Sequence, residues 1–113
     1  TVKWYNYAKV VNLDWLLVHG NQVPSSSGNP YNGFAAKSER WHRSMPQHFD
    51  YIACGHFHQF FKVQDVWCGP ALISDDDWCR EVLGREGECG QLALGITEDG
   101  IKYVLPINLR DVQ

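Results

Sequence analysis

The chain lacks most of the features that assign a protein to a class at first sight. None of its four cysteines, Cys54, Cys68, Cys79 and Cys89, falls in a C-x-x-C pair, which argues against a structural zinc knuckle. No stretch approaches the roughly 18 consecutive apolar residues that span a bilayer, and no signal peptide is visible. Basic charge is not in excess: 10 Lys and Arg against 13 Asp and Glu leave a formal net charge of −3. A generally basic nucleic-acid binder is therefore not expected, although a local basic face remains compatible with that balance. Internal repeats and low-complexity tails are missing too. These absences point away from the membrane and toward a reducing compartment, the cytoplasm, in which the four cysteines stay as thiols. Export would instead allow a Cys68–Cys89 disulfide.

What is present suffices for a folded core. Of 113 residues, 44 % are apolar and 13 % aromatic, which fits a single domain over residues 1–113, or part of one. The most informative stretch is Tyr51-Ile52-Ala53-Cys54 followed by Gly55-His56-Phe57-His58. A four-residue apolar run opened by Asp50 and closed by Gly reads as a short buried strand. If the backbone stays extended beyond it, His56 and His58 point to one side, about 6–7 Å apart at about 3.3 Å per residue. Paired metals in hydrolytic sites sit about 3.5–4 Å apart. With ligand bonds of about 2.1 Å, one histidine then serves each metal. The bland reading of an H-x-H pair is two polar residues at a turn.

A second stretch repeats the pattern. Trp15-Leu16-Leu17-Val18 is apolar and ends in His19-Gly20-Asn21. Two strands that deliver histidines to their carboxyl ends match the way open α/β sheets build sites. Val18-His19-Gly20 followed by Asp50 to His58 resembles the last two sequence blocks of the calcineurin-like metallophosphoesterases, and the resemblance runs from about Leu13 to Ile107. It implies an α/β fold that is part of a metallophosphoesterase-type two-layer β-sandwich with flanking helices. It implies two divalent transition metals, Mn, Fe, Zn or Ni, with His19 and His56 on the second metal and His58 on the first. The implied activity is hydrolysis of a phosphoester by a phosphatase, phosphodiesterase or nuclease. The family's earlier blocks, Asp-x-His, Gly-Asp-x-x-Asp and Gly-Asn-His, do not occur. The expectation is thus a carboxyl-terminal half that lacks the bridging carboxylate and the catalytic histidine. Such a half would be completed by a missing amino-terminal half or by self-association. The rival reading is a catalytically incomplete, folded metal-binding or interaction domain.

The rest of the chain supplies the frame. An amphipathic strand is expected over residues 2–11, a turn over Asn12-Leu13-Asp14, and a loop from Pro24 to Gly33. A helix is expected from Phe34 to Met45, with Phe34, Trp41 and Met45 on one side and Pro46 closing it. Strands are expected near residues 60–63, 66–73, 91–97 and 101–106, with Asp99-Gly100 turning the last pair. A short helix is expected over Trp78 to Leu83. Lys37, Arg40 and Arg43 form a basic helix face, ordinarily a solvated one. Read functionally, Asn21, Arg40 and Arg43 would contact a substrate phosphate or nucleic acid, with Tyr31 and Phe34 stacking a base. Asp75-Asp76-Asp77 reads as a solvated acidic turn, and His42 and His48 as surface or helix-end residues without a ligand partner at useful spacing.

Overall fold

The computed structural model describes residues 3–23, 30–57, 59–70, 81 and 90–109. Within them the chain runs β1 (Tyr5–Val10), β2 (Leu13–Val18), α1 (Tyr31–Ser44), β3 (Tyr51–Cys54), β4 (Phe61–Val63), β5 (Val66–Cys68), β6 (Gly90–Thr97) and β7 (Gly100–Asn108). Five strands form one sheet in the order β1-β2-β3-β5-β4, and β6 and β7 form a separate two-stranded sheet. The protein is thus a mixed α/β fold, rich in sheet. No helix among the described residues is long and apolar enough to cross a membrane.

The sheet changes direction where the connections lengthen. β1 and β2 pair antiparallel through a two-residue turn at Val11-Asn12. This corrects the expected turn over residues 12–14: Leu13 and Asp14 pair with Val10 and Lys9 instead, which extends the ladder by two residues. β2 and β3 pair parallel, Trp15 opposite Tyr51 and Leu17 opposite Ala53. A parallel pair needs a long crossover, and α1 provides it. β3 and β5 are also parallel, whereas β4 closes back on β5.

α1 starts at Tyr31, three residues before the expected Phe34, because Pro30 presets a helical start and its carbonyl accepts the Phe34 N–H at 2.9 Å. It ends as expected: Pro46 restricts Met45 to extended backbone, at φ −70° and ψ 146°. Phe34, Ser38 and Trp41 are its buried residues, spaced i, i+4, i+7. They meet Leu16, Val18, Ile52, Phe61, Val66 and Cys68 from the sheet, and Phe49 and Phe57 from the connections. Phe34 is fully buried in this core and is not available to stack a base. Tyr31 is partly exposed and packs edge-on against Phe61.

The sheet face opposite α1 presents Trp15, Ala53 and Trp67, and Leu92 and Leu94 of β6 line the same cleft of about 250 Å³. The β6–β7 hairpin turns as Asp99-Gly100 predicts, with Gly100 at φ +114°. Gly95 in β6 accommodates the ring of Tyr103, since a Cβ there would lie 2.1 Å from it. Both strands run longer than the expected ranges, and Tyr103 and Leu105 of β7 are exposed. Of the expected 66–73 strand, Val66–Cys68 is observed, and Gly69 and Pro70 have already left it; residues 71–73, the 78–83 helix apart from Glu81, and Asp75 to Asp77 lie outside the described residues.

One polar tie holds α1 to the sheet. Ser38 and His42, one turn apart on the helix, both bond the carboxylate of Asp65 in the β4–β5 turn. Ser38 is buried, so its hydroxyl has no water to replace that acceptor. Asp65→Ala is expected to cost about 1–3 kcal/mol, the penalty of an unsatisfied buried polar group, read as a lower urea midpoint. Asp65→Asn keeps an acceptor for Ser38 and should recover part of the loss.

Candidate metal centre

The parallel register of β2 and β3 creates the site. With Leu17 opposite Ala53, the next pair is Val18 and Cys54, and then His19 meets Gly55. The Gly55 N–H indeed donates to the His19 carbonyl at 2.9 Å. Both strands have ended there, at adjacent carboxyl ends. His19 Nε2 and His56 Nδ1 lie 3.2 Å apart, with ring centroids at 5.0 Å and planes at 67°.

The backbone after β3 is not extended. His56 sits at φ +70°, a left-handed conformation that a non-glycine residue adopts only when its surroundings impose it. The Phe57 N–H closes a tight turn onto the Gly55 carbonyl at 2.8 Å. The extended H-x-H geometry expected from the sequence is therefore corrected. His56 turns across to His19, because Phe57 buries its ring against Phe34 and Phe61. His58 lies outside the described residues.

Gly20 makes the close approach possible. Its φ is +117°, and a Cβ there would stand 3.0 Å from the Gly55 oxygen and 3.1 Å from the His56 Cβ. Gly20→Ala is expected to cost roughly 1–3 kcal/mol through backbone strain and to weaken metal uptake by displacing His56. Gly69→Ala, where nothing lies within 4 Å, should change neither. A urea titration paired with metal calorimetry on both variants checks this.

The donor set fits a transition metal. Two nitrogens bound to one ion at about 2.1 Å are about 3.0 Å apart at a right angle and about 3.4 Å apart in a tetrahedron. The observed 3.2 Å, which without an ion is a hydrogen bond between the two rings, lies between these values. His19 also lines an open groove of about 450 Å³ with Lys3, Trp4, Tyr5, Asn6 and Leu17. Asn21 is exposed in the turn that follows His19, which the Val23 N–H closes onto the Gly20 carbonyl at 3.2 Å. Arg40 and Arg43 are elsewhere. Both are exposed near the end of α1, and Arg43 lines a cleft with Ser38, His42 and Asp65, before the amino end of β5. The structure thus unites His19 and His56, and sets Arg43 in a different cleft.

A second donor group escaped the sequence reading. Asp14, His48 and Asp50 place one ligand atom each within 4.8 Å of the others. The Asp50 carboxylate accepts the Asp14 N–H at 2.8 Å and lies 3.2 Å from His48 Nε2. His48, read as lacking partners, has two. The only local signal was His48-x-Asp50; Asp14 arrives through the same β2–β3 register, at the opposite strand ends. Lys9 stands 3.8 Å from Asp14 and offsets its charge.

Two thiols sit just behind the histidines. Cys54 on β3 and Cys68 on β5 are register partners, and Cys68 is a free thiol. The hydrogen bond from Cys68, burial, and the charge of a neighbouring Cys68 thiolate all push the Cys54 thiol far above the usual range. No protein family, curated protein or solved structure matches the chain.

Proposed function

We propose that this chain supplies histidine ligands to a metal centre that hydrolyses phosphoesters, within a metallophosphoesterase-type two-layer sandwich. The observation that carries the reading is the 3.2 Å approach of His19 Nε2 and His56 Nδ1. It brings together the two histidines that the motif resemblance puts on one metal. The left-handed backbone of His56 supports it, because strain of this kind concentrates at functional sites.

Each residue has a defined task in this reading. His19 and His56 would hold one ion through their ring nitrogens, and His58 would hold its partner. Gly20 and Gly55 let the two turns approach. The groove beside His19 receives the phosphoester, and the Lys3 ammonium supplies positive charge at its edge. Asn21, exposed in the turn after His19, would donate to a phosphoryl oxygen. A divalent pair, when bound, would supply Lewis-acid activation of water and of the phosphoryl group. A carboxylate that completes such a centre would come from outside the His19 and His56 blocks. The hairpin face bearing Leu92 and Leu94 against Trp15 and Trp67 forms part of the second layer.

The test is hydrolysis of a generic phosphodiester. Metal-dependent turnover is expected once the chain is joined to a segment carrying the Asp-x-His and Gly-Asn-His blocks. His56→Ala should abolish it, and the chain of 113 residues by itself should stay near background. Tight metal binding without turnover in the joined protein would favour the non-catalytic, metal-binding domain instead.

A further inference from the structure

We infer that Cys54 and Cys68 form an oxidisable dithiol, a site for a reversible disulfide between β3 and β5. The inference is independent of the metal centre and rests on the placement of the two cysteines. They are directly paired in a parallel ladder, so their Cα atoms are separated by the inter-strand spacing of about 4.7–4.9 Å. Disulfides form across Cα separations of about 4.4–6.8 Å. Both side chains are on the α1 side of the sheet, where Cys68 belongs to the core and Cys54 packs against it. The Cys68 thiol donates to the Gly55 carbonyl at 3.4 Å, which holds its sulfur at the carboxyl end of β3.

The two cysteines differ in access. Cys68 is fully buried. Cys54 is partly exposed. A small disulfide such as oxidised glutathione therefore meets Cys54 first. The Cys54 sulfur bonds one glutathione sulfur, the oxidant's sulfur–sulfur bond breaks, and the first glutathione thiol leaves. Cys68 then bonds the Cys54 sulfur and releases the second. Cys54 and Cys68 together lose two electrons and two protons, and the oxidant takes up both to give two thiols.

The experiment uses the chain with Cys79→Ser and Cys89→Ser, which keeps only this pair. The folded protein is incubated with excess glutathione disulfide, quenched in acid, and analysed by thiol titration, intact mass and tryptic mapping. Loss of both thiols is expected, with a mass lower by two hydrogens and a joined peptide pair containing Cys54 and Cys68. Dithiothreitol should restore both thiols. In a Cys54→Ser version, Cys68 should stay unmodified while the protein is folded. A glutathione adduct that persists on Cys54 would overturn the inference. So would two intact thiols in folded protein under conditions that oxidise the urea-unfolded chain. Should the double variant fail to fold, the same mapping on the unaltered chain decides: a Cys54–Cys68 link supports the site, and pairing of either residue with Cys79 or Cys89 refutes it.

Discussion

His19→Ala and His56→Ala are each expected to weaken Mn(II) or Zn(II) binding by at least about 100-fold, since losing even an outer-shell partner of a ligand costs about 10–100-fold. The two nitrogens approach to 3.2 Å, a separation that suits two bonds to one ion. Removing one leaves a single imidazole, which has no chelating advantage over a surface histidine. The double variant should therefore bind little more weakly than either single one. Isothermal calorimetry on the purified chain reads the loss directly. His48→Ala is the informative control, because it dismantles the Asp14–His48–Asp50 group and leaves His19 and His56 in place. Retained uptake in His48→Ala with loss in His56→Ala assigns the centre to the strand carboxyl ends. The reverse pattern would move the metal to the other end of the sheet and remove the basis for the proposed hydrolase.

The largest effect on stability is expected from Phe34→Ala. Phe34 is fully buried, and its ring lies 5.6 Å from those of both Phe57 and Phe61. It joins α1 to the segment between β3 and β4. Truncation of a core phenylalanine costs about 3–5 kcal/mol in lost transfer energy and residual cavity. Domains of this kind hold only about 5–15 kcal/mol in total, so the variant should be partly unfolded at moderate urea. Phe57 follows His56, so the cavity should also loosen the histidine turn. Metal affinity should fall, but by less than in His56→Ala. Chemical denaturation with the slope unchanged, together with calorimetry below the transition, measures both effects. A loss under about 1 kcal/mol would mean that the aromatic cluster can collapse around the vacancy.

Much of the framework was legible because its signals are local. The run Tyr51 to Cys54 formed the strand expected of it, since four apolar residues between Asp50 and Gly55 leave few alternatives. Pro46 ended α1 by excluding the helical conformation of Met45, a constraint that acts between adjacent residues. Asp99-Gly100 turned the last hairpin because Gly100 tolerates φ +114° without a Cβ clash. The order of the His19-Gly20 and Gly55-His56 blocks was equally legible.

The contacts that give those blocks their meaning were decided by tertiary structure. His19 meets His56 because β2 and β3 pair in parallel in one register; a one-residue slip would turn the strand side chains to the opposite faces. The same register, read at the amino ends, joins Asp14 to an Asp50 that is 36 residues away. The Ser38–Asp65 bond spans 27 residues and needs both the helix phase and the β4–β5 turn. His56 was misread as extended because its left-handed backbone follows from the burial of Phe57 beneath α1, which no neighbouring residue announces. Sequence determined the elements and the donor types through short-range sterics and hydrophobic pattern. The pairing of donors into sites came from strand register and core packing, which depend on residues far apart in the chain.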